Sequence, residues 1–390
     1  MKFKAGIIAT AAAIATTVQP AIAQEKLKIG VMATLSGPAA VLGQHMRDGF
    51  LLAVKDLGGK LGGLDTEIIV VDDELKPDVG VQKIQALLSR DKVNVVVGTT
   101  FSNVQMAIAK PVFDSKTVMI GTNAGPSPLA GKNCSPWFFS TAWQNDQNHE
   151  VMGKYAQDAG YKRLVLIAPN YQAGKDSMAG FKRHYKGEIV DEIFSQVNQL
   201  DFSSEIARVA SLKPDAIFVF QPGGMGVNFV KQYAQAGLKD KIPLLSAFTV
   251  DETTLVATQD AALGLQSGSH WAHNLDNPAN KKFITDFEAT YKYVPAQYAN
   301  QGYDAALLID AAIKSTGGNI SDREALQAAM KKAKFTSTRG PFKFNNNGFP
   351  IQDFYVVTAT KRADGKYVTE ASKKVFEGYG DAYAKECPLK

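Results

Sequence analysis

Twice along this chain, short apolar runs suited to buried strands alternate with longer runs suited to helices. In the first set the strand-like runs cover 27–35, 67–72, 94–100 and 117–122, with helical patterns at 39–57, 77–89 and 102–113 between them. Strands joined through helices of this length run parallel, and their sheet is covered on both faces. A second set follows Trp143, with strands at 163–168, 188–194, 215–220 and 243–248 and helices at 174–185, 203–212 and 224–236. Two such sets predict two α/β lobes of related topology. The remainder differs: helical patterns at 280–291, 298–315 and 322–333 (Gly317-Gly318 as a stop) precede a hairpin of 340–344 and 354–360 around Asn345-Asn346-Asn347-Gly348. These late helices have too few strands for a third domain. They are expected to return to the first lobe and the last strands to the second, which requires three crossovers and a hinge.

The N-terminus predicts export. Lys2 and Lys4 precede an apolar run from Ile7 to Val18, Pro20 breaks it, and Ala21-Ile22-Ala23 offers small residues for cleavage before Gln24. The run is shorter than the ~20 residues a membrane span needs, and the first cysteine is Cys134, so neither a membrane anchor nor a lipid anchor is expected. Loss of residues 1–23 takes Lys2 and Lys4 from 43 basic residues, leaving 41 against 38 acidic, a net +3. That balance argues against nucleic acid as a partner. The 367 residues left exceed one ordinary core, in keeping with two lobes. Cys134 and Cys387 form one disulfide in the simplest reading for an oxidising compartment, two buried thiols being the alternative.

Catalytic motifs are missing. There is no G-x-S-x-G, H-E-x-x-H or phosphate-loop sequence. His270 and His273 form the one close histidine pair, but they lack a third ligand and read as surface or hinge residues. Neither an enzyme, nor a metal site, nor a cofactor is expected. The informative residues lie at the C-terminal ends of the predicted strands, where open α/β sheets bind ligands. Thr100, Phe101 and Ser102 follow one strand, and Ser102 with Gln105 fits a capping box at a helix start, itself a favourable place for a carboxylate. The loop Gly121-Thr122-Asn123-Ala124-Gly125 follows the next strand. Tyr171, Phe220, Gln221 and Phe248 end strands of the second set, where packing alone would also explain aromatic residues.

In Lys28-Ile29-Gly30-Val31, Leu35-Ser36-Gly37-Pro38, Asp72-Asp73-Glu74, Ile120-Gly121-Thr122-Asn123-Ala124 and Gly340-Pro341-Phe342, in that order and spacing, the chain resembles the periplasmic leucine/isoleucine/valine-binding proteins. These are the type I receptors of ABC importers, and the likeness runs nearly end to end after the signal. It implies a Venus-flytrap α/β fold of two Rossmann-like lobes with three hinge crossovers. The implied division is 1–23 signal peptide, 26–142 plus 273–353 first lobe, and 143–272 plus 354–390 second lobe. Ser102 takes the place of the family's carboxylate-binding serine, beside Thr100 and Phe101. Asn123, Ala124 and Gly125 form the next ligand loop, Leu42 and Tyr298 fall on pocket positions, and Trp143 lies at the first hinge. The family's ring-packing tyrosine aligns near Ala173, two residues after Tyr171.

Two departures matter. Gly125 stands where the family has a threonine, which removes one hydroxyl from the carboxylate site. Phe248 stands where amino-acid binders place the acid that pairs with the α-ammonium, and an unpaired buried ammonium costs several kcal/mol, roughly. The resemblance with these departures implies an exported, monomeric receptor that hands a small carboxylate, of benzoate or coumarate type, to the permease of an ABC importer. The alternatives are a branched-chain or other hydrophobic amino acid as ligand, with Asp251 or Asp304 serving its ammonium, a sensing module using the same cleft, or an exported hydrolase.

Overall fold

The computed structural model describes residues 26–389. The expected signal peptide lies outside the described residues. Six strands form the first sheet: β1 (Leu27–Ala33), β2 (Lys60–Leu61), β3 (Leu64–Asp72), β4 (Val95–Val97), β5 (Val118–Gly121) and β6 (Phe138–Ser140). Their order is β2-β3-β1-β4-β5-β6, parallel throughout except for the β2–β3 hairpin. The period-two side-chain alternation divides β1 cleanly. Leu27, Ile29 and Val31 face Phe283, Tyr303, Leu308 and Ile309 of the late helices, while Met32 joins Ile84, Leu87 and Val104 on the opposite face. The helices Pro278–Tyr291, Gln297–Ser315 and Arg323–Lys332 therefore cover the first sheet.

The second sheet holds β7 (Arg163–Pro169), β8 (Glu188–Ser195), β9 (Ala216–Val219), β10 (Leu244–Ser246), β11 (Gln266–Ser269), β12 (Lys343–Phe344), β13 (Pro350–Lys361) and β14 (Tyr367–Tyr379). Its order is β12-β13-β11-β10-β9-β7-β8, with β14 paired to β13. Strands β7 to β11 are parallel, and β13 adds antiparallel to β11. The expected late hairpin forms only over the two residues of β12, and the long β13 instead pairs with β11 and with β14.

The chain passes between the sheets after β6, after β11 and along β13. Arg339 ties the first and third of these passages to the helix Gln297–Ser315. Buried at 4 % exposure, it donates to the Asp304 carboxylate, the Ala142 carbonyl and the Gln352 side chain. His270 lies in the same region, buried rather than at the surface, its ring between Asn148 and Gln301 at 3.2 Å each. Cys134 and Cys387 are joined in a disulfide.

Besides the single turn Ser127–Ala130, two helices emerge that the hydrophobic pattern does not announce, Gln147–Asp158 and Glu252–Thr258. Both begin with polar residues that are nonetheless buried: Gln147, Asn148, His149 and Glu150 in one, Glu252, Thr253 and Thr254 in the other. Among the described residues no helix is long and apolar enough to cross a membrane.

Candidate functional site

The C-terminal ends of both sheets face each other across a narrow slot, the place where open α/β sheets bind ligands. The slot is lined by Leu42, Thr100, Phe101, Ser102, Asn123, Ala124, Trp143, Asn145, Tyr171, Ala173, Phe220, Pro222, Phe248 and Tyr298, which close tightly on one another. A wider groove beside Arg339, Pro341 and Lys374 lies at the outer face of β13 and includes none of the ligand residues expected from the sequence.

One end of the slot is polar. Strand β4 delivers Thr100, Phe101 and Ser102 to the start of the helix Ser102–Asp114. The capping box expected from Ser102 and Gln105 is not formed. The residue preceding the helix is Phe101, in extended conformation, and Gln105 Oε1 instead accepts from the Thr99 backbone N–H at 3.2 Å. The hydroxyl of Ser102 is thus left out of capping and accepts from Asn145 Nδ2 at 3.0 Å. Thr100 is fixed by the Thr34 N–H on its Oγ1 (3.0 Å), and Asn123 Nδ2 donates to the Thr100 carbonyl at 2.7 Å.

The rest is aromatic. The Trp143 ring lies 4.2 Å from that of Phe248, and Phe248 is 6.1 Å from both Phe220 and Tyr298. Tyr171 stacks on Phe220 at 6.3 Å and meets Phe101 from the first lobe at 6.0 Å. Phe248 has φ 59°, a left-handed conformation uncommon for a bulky residue. Such strain persists where the surroundings over-determine it, and here Trp143 and the neighbouring rings hold the side chain in the slot.

Every side chain lining the slot is uncharged at neutral pH. Burial raises the phenol of Tyr171, and more strongly that of Tyr298, above the ordinary range. The two acids considered for an ammonium stand behind the wall. Asp251 caps the helix Glu252–Thr258 through Oδ1, its Oδ2 has no hydrogen-bond partner, and burial raises its carboxyl above the usual range. Asp304, the other acid considered for an ammonium, is bound by Arg339, Ser337 and Thr338 and is not available.

Two expected contacts stand behind the lining. Gln221 is buried with its Nε2 on Ser195 Oγ at 2.8 Å. Gly125 passes so close to the first crossover that a Cβ there would stand 2.2 Å from the Trp143 carbonyl oxygen, so a threonine has no room. The sequence reading missed Asn145 and Pro222 in the lining. A lone Asn in a crossover and a Pro after a strand carry no spacing signal of their own.

The sequence-family profile described as "Periplasmic binding protein" matches residues 26–366. A solute-binding protein of an ABC transporter from R. palustris, solved in complex with benzoate, is 35% identical with a TM-score of 0.88, over 94% of this chain and 100% of that one. Another, from Rhodopseudomonas palustris BisB5 in complex with 3,4-dihydroxybenzoic acid, is 31% identical with a TM-score of 0.86, over 92% of this chain and 99% of that one. The Leu/Ile/Val-binding protein homolog 6 of Brucella melitensis biotype 1 is 28% identical over 96% of this chain and 98% of its own length.

Proposed function

This chain belongs to the periplasmic binding protein family, and from that premise we propose that it is an exported receptor for a small aromatic carboxylate, which it delivers to the permease of an ABC importer. The signal is cleaved after Ala23 in this reading. The observation that carries it is the slot itself: a serine at a helix start at one end, a wall of aromatic rings elsewhere, and no acid in the lining. The helix start favours an anion through its free N–H groups and partial positive charge. The rings offer faces for a planar aromatic body, and each well-oriented aromatic pair adds about 0.5–1.5 kcal/mol beyond burial. Ser102 and the loop at Thr100, Asn123 and Ala124 would hold the carboxylate. Trp143, Tyr171, Phe220, Phe248 and Tyr298 would enclose the ring, with Leu42 on the remaining side. Two solved relatives were crystallised with benzoate and 3,4-dihydroxybenzoate, which supports this ligand class.

A second reading rests on Asp251, whose unpartnered Oδ2 would serve the ammonium of a hydrophobic amino acid after a local rearrangement. Calorimetry and thermal shift with benzoate, 4-hydroxybenzoate, leucine and valine separate the two. The aromatic acids are expected to bind and to stabilise the protein by about 2.7 kcal/mol at a hundredfold excess over Kd. Tight leucine binding with no response to the aromatic acids would refute the proposal.

A further inference from the structure

Asn145 is connected on three sides. Its Oδ1 accepts from the Gly125 backbone N–H at 2.9 Å, and its Nδ2 donates to Ser102 Oγ at 3.0 Å and to Asp176 Oδ2 at 2.8 Å. A backbone N–H can only donate and a carboxylate can only accept, so both contacts fix the amide in one orientation. Ser102 Oγ then receives a hydrogen from Asn145, and its own hydroxyl hydrogen is left to donate elsewhere. No described residue accepts it. A hydroxyl held this way is preset to donate into the slot, as an anionic ligand requires.

Asp176 extends the connection across the cleft. It sits in the second lobe on the helix Gln172–His184 and is 3 % exposed. Its carboxylate also accepts from the Ser127 N–H at 3.1 Å and the Ser127 hydroxyl at 2.7 Å, both from the first lobe, and from Gln172 Nε2 at 2.8 Å. The one carboxylate thereby holds the lobes together and locks the amide that presets Ser102. With the lobes apart, the contacts to Ser127 are lost.

We infer that Asn145 and Asp176 are positioning residues that couple lobe closure to carboxylate selectivity, making Ser102 an obligate donor only when the cleft is shut. This inference rests on the carboxylate reading of Ser102. Asp176→Asn removes one lock, because the new amide can turn a donor toward Asn145 and draw the Asn145 oxygen around to take the Ser102 hydrogen.

The test is calorimetry with benzoate and its neutral analogue benzamide on wild type, Ser102→Ala, Asn145→Ala, Asp176→Asn and Ser127→Ala. Asn145→Ala and Asp176→Asn are expected to weaken benzoate about tenfold or more while changing benzamide much less, the loss expected for one hydrogen bond to a charged acceptor. Ser127→Ala is expected to weaken both together and leave their ratio unchanged. An unaltered ratio in Asn145→Ala and Asp176→Asn, with a lowered ratio in Ser102→Ala, overturns the coupling and leaves the carboxylate reading standing. An unaltered ratio in Ser102→Ala overturns the carboxylate reading itself. Hydrogen exchange of the Asn145 side-chain amide in the wild type needs no variant to fold. Exchange is expected to slow when benzoate is added, and an equal rate with and without benzoate overturns the coupling.

Discussion

His149 illustrates how much a single side chain can cost in this site. It is fully buried and neither ring nitrogen has a hydrogen-bond partner. Trp143, Phe218, Phe220 and Phe248 surround it at centroid distances of 4.9–5.9 Å, so it backs the aromatic wall as a neutral ring. Burial lowers its pKa to about 3 from 6.5. As pH falls below 6.5 the unfolded chain takes up a proton that the folded one refuses, so stability is lost progressively down to about pH 3. Replacing it by an uncharged ring removes that linkage. His149→Phe should gain on the wild type as the pH is lowered, by about 3 kcal/mol between pH 7 and pH 4 at ~1.4 kcal/mol per unit. Urea unfolding at both pH values measures this, and a pH-independent difference between the two proteins would contradict it. At this scale the sequence was legible where position alone implies a role. Ser102, Tyr171 and Phe248 stand at strand ends, and they line the slot. Asn145 was not legible, because its importance comes from three partners, Gly125, Ser102 and Asp176, that only the fold brings together.

Among the elements, the apolar βα units were readable because the central strands β1, β4, β5, β7, β9 and β10 are buried on both faces and each helix presents one apolar side. The helix Gln147–Asp158 escaped because it is covered by polar contacts: Glu150 pairs with Arg183, and Asn148 meets His270. Hydrophobic periodicity does not register such burial. Strand β14 escaped for another reason, since Lys373 and Lys374 interrupt its pattern where that face meets solvent. Beyond β14 the tail turns back to the first lobe. Asp381 accepts from Asn347, and Asn346 holds the carbonyls of Ala384 and Leu389. The short 3-10 turn Ala384–Glu386 carries no buried residue, so the disulfide is the tail's principal anchor there. It closes a loop of sequence separation 253, and chain entropy alone assigns it up to about 5 kcal/mol. Reductant should lower the melting temperature of the wild type and leave a Cys134→Ser/Cys387→Ser double variant, already less stable, unchanged. Equal melting of the oxidised wild type and the double variant would show that the bridge contributes nothing.

For the whole molecule the decisive property is that each lobe has its own sheet and the two meet across the slot through side chains and loops. Besides Ser127 with Asp176, the Gly224 N–H reaches the Pro38 carbonyl at 3.1 Å, and Phe101 meets Tyr171. Three peptide passages, the first and third joined by the buried Arg339, form the pivot, so the lobes can part without disturbing either sheet. A ligand that touches both lobes then favours the closed form through contacts made only there. Small-angle scattering should therefore show compaction on saturation with benzoate. Tryptophan emission should report the same event chiefly through Trp143, whose ring packs on Phe248 and whose Nε1–H points to Asn123 Oδ1 at 3.4 Å. Trp137 is an internal control, since it is buried in the first-lobe core just before β6. A Trp143→Phe variant should lose most of the emission change while scattering still records closure. Saturation without compaction would mean that ligand enters an already closed cleft, and the hinge would then have no part in capture.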